Sequence, residues 1–199
     1  ERTALSLTLL AGNVTVVEGE ALSVSLTETD WSDRCRVKTS EQSAAVVEVI
    51  QPRKAQSCAA DVVVTLPEGA RLRLALTEGD VALQQTDGLI DLLVETGNIT
   101  LEETNGSVFA SIGTGALSGT AMGGLLANLG EGNVAVSWAG LPTGDIHVQT
   151  RAGDVELTLP ADVSLTNADR QPASFRAILP DEKTVQADAR RGAVTVSAG

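Results

Sequence analysis

His147 is the only histidine in a chain of 199 residues. A Ser/His/Asp triad would have to use it, and a site with several histidine ligands is excluded. It stands between Ile146 and Val148, where strand alternation turns it outward, so it reads as an ordinary surface histidine. Cys35 and Cys58 are the only cysteines. A pair with no CxxC spacing and no Cys/His cluster favours a disulfide over a metal site, with two buried free thiols as the other reading. The bond would close a loop for which chain entropy gives stabilisation of about 3 kcal/mol, and it would imply an oxidising compartment.

Asp80, Asp145 and Asp154 each follow a glycine, a pattern similar to the calcium-binding β-roll repeat GGxGxDxUx. Such a site needs several oxygens per ion from consecutive turns. Here each corner offers one Asp or Asn and the GGxG part is missing, so turn chemistry is the better explanation, and no metal or cofactor is expected. Carbohydrate-cleaving β-helices use clustered carboxylates, or a carboxylate with Arg or Lys, on one sheet face. The outward positions Ala82, Thr100, Glu102, His147 and Glu156 form a mixed face of small and polar groups, and no catalytic residue emerges. Trp31, in TETDWSDR, and Trp138, in SWAGLPTG, are rare large side chains in a chain with 2% aromatics. Exposed, they would be the contacts for a sugar or protein partner; otherwise each covers a loose end of the core.

The elements that must position these residues show themselves as a repeat. Gly79, Gly88, Gly97, Gly106, Gly115 and Gly124 stand nine residues apart, followed by Gly132, Gly144 and Gly153 at steps of 8, 12 and 9. Apolar residues fall two and four places after most of these glycines, as in Val81 and Leu83, Ile90 and Leu92, Ile99 and Leu101, or Val155 and Leu157; the pattern weakens at Leu117 and Gly119 and slips by one near Gly123 and Gly124. That is the alternation of a strand with one buried face. The glycines read as corners, and the Asp or Asn after many of them as residues tolerant of positive φ. One strand with its turn fills nine residues, so two units, about 18 residues, would make one coil of a parallel β-helix, with stacked antiparallel hairpins as the other arrangement. The four glycines in Gly119 to Gly130 argue against a helix there.

The first third is organised differently. Gly12 to Val16 already repeats the unit, Ala21 to Leu26 and Ala44 to Ile50 read as strands, and the polar stretch Thr27 to Gln42 separates them. Leu66-Pro67, Leu159-Pro160 and Leu179-Pro180 mark strand ends, because proline donates no ladder hydrogen bond. Val185 to Ala189 and Gly192 to Val196 supply the closing strands. The expectation is one all-β domain over residues 1–199: a capping or less regular region at 1–61, and regular repeats with a C-terminal cap at 62–199. Exposed ends of such a stack invite self-association.

Bulk composition narrows the function classes. Hydrophobic residues make up 43% and there is no Tyr, so the core must be Val, Leu, Ile and Ala in thin layers. A net charge of -12 argues against nucleic acid and anionic membrane, whose phosphates need clustered Lys and Arg. No run approaches the roughly 18 to 20 apolar residues of a spanning helix. The start at Glu1, without a basic-then-apolar leader, carries the expectation that a signal or anchor was removed earlier.

The strings TLPEGARLRLALTEGDVAL, VETGNITLEETNG and RAGDVELTLPADVSL resemble the bacterial putative-adhesin family, best over Val62 to Gly199. That resemblance implies an exported β-solenoid domain with GDV or GNI corners, periplasmic, cell-surface or secreted, and it implies no catalytic chemistry. The expected function is a non-catalytic cell-envelope or extracellular module that engages a protein or glycan partner. The alternative is a carbohydrate-binding or carbohydrate-active β-helix.

Overall fold

The structure is a computed structural model and describes residues 3–41, 45–50 and 58–198. After β1 (Ala4–Ala11) and β2 (Val14–Glu18) come β3 (Ser23–Trp31), β4 (Arg36–Glu41), β5 (Ala45–Ile50) and β6 (Cys58–Leu66). Strands then alternate across short corners: β7 (Arg71–Glu78) and β8 (Val81–Gln84), β9 (Leu89–Thr96) and β10 (Ile99–Thr104), β11 (Ser107–Thr114) and β12 (Leu117–Ala121). The series continues with β13 (Leu125–Glu131) and β14 (Val134–Trp138), then β15 (Ile146–Ala152) and β16 (Val155–Leu159). A hairpin, β17 (Thr166–Gln171) and β18 (Ser174–Ile178), precedes β19 (Thr184–Ala189) and β20 (Val194–Ala198). The chain is all-β: the 20 strands among the described residues join by hydrogen bonds into one mixed, barrel-like sheet around a single hydrophobic core.

Most of that sheet consists of two parallel ladders. One runs β5, β1, β7, β9, β11, β13, β15, β19. The other runs β6, β2, β8, β10, β12, β14, β16, β20. Val81 pairs with Ile99 and Ile99 with Leu117, and hydrogen bonds between neighbouring rungs there join residues 18 apart. Ile99, Leu101, Val155 and Leu157 all point inward and are buried. Each large aliphatic side chain so buried contributes about 1.5 to 3 kcal/mol.

The corners explain the glycines and correct one expectation. Gly97 has φ +147° and Gly153 φ +135°, and a Cβ on either would overlap the carbonyl of the glycine one rung away, Gly79 or Gly132. Left-handed backbone and close approach coincide, so only glycine fits. Gly88, Gly79, Gly115 and Gly132 share positive φ, whereas Gly106 and Gly144 do not and are constrained by the nearness of Gly88 and Gly124. The Asp and Asn after the glycines do not themselves adopt positive φ. Their side-chain oxygens instead accept backbone N–H groups from the next rung: Asn98 N donates to Asp80 Oδ1 at 2.7 Å and Ala116 N to Asn98 Oδ1 at 2.9 Å. Asp154 N to Asn133 Oδ1 and Ala193 N to Asp154 Oδ1, both 2.8 Å, continue the series.

The ends depart from the repeat. β3 pairs antiparallel with β6 and β4 with β5, so Thr27 to Gln42, expected as a polar connection, contains one strand's end and another strand. These are edge strands with largely exposed side chains, so they lack the apolar alternation that betrays a buried face. Ala44, at which the expected strand begins, lies outside the described residues, as do Glu1 and Gly199. At the other end β18 lies antiparallel on β19, and its hairpin covers the edge of β20: Val194 N donates to Pro172 O, and Arg170 Nη1 donates to Val196 O at 2.9 Å.

Candidate functional site

The outward face of β11, β13, β15, β19 and β18 carries two rows of side chains fixed by ladder register. Ser111, Asn128, Gln149 and Asp188 lie side by side in one row. Phe109, Leu126, His147, Gln186 and Arg176 form the next. Parallel neighbours lie about 4.8 Å apart, so the first row spans about 14 Å. Between the rows and the C-terminal hairpin lies a groove of about 550 Å³, and Arg151, Arg176 and Arg190 reach into its lining.

The polar groups of this groove are partly pre-ordered. Gln186 Nε2 donates to Asp188 Oδ2 at 2.7 Å, and the amide of Gln149 bonds the Nε2 of His147 at 3.1 Å. Both pairs join residues two apart on one strand, which is how pleating places them together. Among the described residues the Gln149 amide makes no further hydrogen bond. Glu131 approaches Arg151 at 3.9 Å, but both side chains are more than half exposed, so the pair contributes little. Backbone amides and carbonyls of these strands are committed to the ladders on both sides. An occupant therefore meets hydroxyl, carboxamide, carboxylate and guanidinium groups, with the exposed Phe109 ring and Leu126 beyond.

The residues singled out from sequence lie elsewhere, His147 excepted. Cys35 and Cys58 form a disulfide, Cα–Cα 5.7 Å, that ties the chain between β3 and β4 to the start of β6. Trp138 is in the core and not on the outward face: it is 3% exposed, and its Nε1 donates to Gly123 O at 3.1 Å. Trp31, opposite Cys58 in the β3–β6 pair, packs partly buried against the same core. Asp80, Asp145 and Asp154 each bond a backbone N–H of another rung, Asp145 through Thr184 N at 2.7 Å. Among the described residues no three His, Cys, Asp or Glu side chains converge. The arginines were missed because Arg151, Arg176 and Arg190 are far apart in sequence and meet only through the β15, β19, β18 pairing. The signal within reach was the repeat itself, which places Asn128 beside Gln149.

No protein-family model matches the chain, and no curated protein matches it. Among solved structures, a crystal structure of a "putative cell adhesion protein" from Clostridium sporogenes is similar at 13% sequence identity and a TM-score of 0.38, covering 100% of this chain and 93% of that one.

Proposed function

We propose that the chain is a β-solenoid whose repeating rung is two strands and two corners, and that it serves as a non-catalytic, adhesin-like interaction module of the cell envelope or extracellular space. The 18-residue register and the glycines packed one above another support the coil. A disulfide between Cys35 and Cys58 fits an oxidising compartment. The observation that carries the function is the Arg-lined polar groove, a built concavity on an otherwise mixed outward face. Asp188 is the one carboxylate in this lining, so the carboxylate pair of a glycosidase is not supplied; a carboxylate beside arginines is the other cleaving arrangement, and the assay for unsaturated products tests it. The test is retention of the purified chain on washed cell envelopes and on a glycan array, with reducing ends and unsaturated products assayed in parallel. Saturable binding without product formation is expected. Cleavage of a bound glycan, or no retention on any surface, would overturn the reading.

A further inference from the structure

The groove's chemistry also specifies an occupant, in an inference that rests on the interaction-module reading. We infer that it binds a short saccharide bearing carboxylates, with guanidinium groups of Arg151, Arg176 and Arg190 on the carboxylates and the Asn128, Gln149 and Asp188 row on the hydroxyls.

Three lines converge on this class. Three of the chain's 14 cationic side chains meet in one groove of a protein whose net charge is -12. Arginine's planar fork matches a carboxylate in a bidentate way, and such charge-assisted hydrogen bonds are the strong ones. The row of amide and carboxylate side chains repeats at the strand spacing, which is close to the length of one sugar unit, and each member can donate to or accept from hydroxyls. A peptide would be caught most readily by strand addition, yet β11, β13, β15, β19 and β18 beneath the groove are each already paired on both sides. The other large groove, lined by Glu18, Glu20, Glu68 and Glu103, has the wrong sign for the same ligand.

The experiment titrates the whole chain with tetragalacturonate, with the same tetrasaccharide after reduction of its carboxylates to alcohols, and with hexaglutamate, read by calorimetry and by amide chemical shifts. Tetragalacturonate is expected to bind and to shift the side-chain amides of Asn128 and Gln149, while the reduced sugar binds at least about tenfold more weakly. The double variant Arg176→Gln, Arg190→Gln, both exposed positions, should lose about tenfold or more, and Arg73→Gln, outside the groove on β7, should lose nothing. Equal binding of the reduced sugar, hexaglutamate binding as tightly as the sugar, shifts confined to other surfaces, or an unaffected double variant would each overturn the inference. Absence of binding to tetragalacturonate by a chain that cell envelopes still retain would sink the saccharide assignment and leave the interaction module standing. Loss of both would remove the two together.

Discussion

At the scale of single residues, the account depends on which way each side chain points after a corner. Ile99 is buried between Val81 and Leu117, Thr100 beside it faces outward, and Gly97 occupies a backbone region and a space that leave no room for a Cβ. Gly97→Val should therefore combine conformational strain of about 1 to 3 kcal/mol with displacement of the neighbouring rung. Ile99→Ala should cost about 2 to 5 kcal/mol for its unfilled layer, and Thr100→Ala should stay within about 0.5 kcal/mol. Chemical-denaturation midpoints give the order, and equal damage from Thr100→Ala and Ile99→Ala would mean that the faces are reversed. This inside-outside alternation was legible in sequence because a period of two after a fixed glycine is a strictly local signal. The role of Asn98 was not, since an oxygen that accepts the N–H of Ala116 18 residues on leaves no local mark. The burial of Trp138 was one of two readings open from sequence, because rarity of aromatics does not say which ones the core needs.

At the scale of elements, the regular strands and the caps differ in how they are held. β9 to β13 have ladder partners on both sides, whereas β3 and β4 each pair on one side, and the chain between them is tied to the start of β6 through Cys35 and Cys58. Reduction or a Cys35→Ser, Cys58→Ser double change should cost about 3 kcal/mol, and the loss should be local first. Hydrogen exchange should show amides of β3, β4 and β6 losing protection while β9 and β11 keep theirs; uniform loss across all strands would contradict this division. The chain order of strands did not reveal that β5 and β6 stack on the far side of β1 and β2. Such pairing is non-local, and polar edge strands give no periodicity from which to infer it. The groove was hidden for the same reason, since β18 supplies Arg176 only by folding back on β19.

At the scale of the whole molecule, the chain behaves in this account as a stack in which each rung depends on its neighbours. Corner aspartates are already committed to backbone N–H groups, so thermal melts with calcium and with chelator should coincide. A rise of several degrees with calcium, lost in Asp154→Ala, would mean that these corners also hold an ion. The proposed solenoid makes a sharper demand, because its repeat would be two strands long and not one. Removing residues 98–115 joins Gly97 to Ala116, the residue one full rung beyond Asn98, and leaves every later strand in its own ladder. Removing residues 98–106 joins Gly97 to Ser107 and sends each later strand into the opposite ladder, against the grain of the glycine corners and the hairpin cap. Urea unfolding of the two deletion variants, followed by circular dichroism, decides the matter. The account predicts a cooperative transition for the 98–115 deletion with a smaller m-value than the intact chain, as expected for one rung fewer, and no folded baseline for the 98–106 deletion. Equal folding of both, or folding of the shorter deletion alone, would contradict a two-strand repeat.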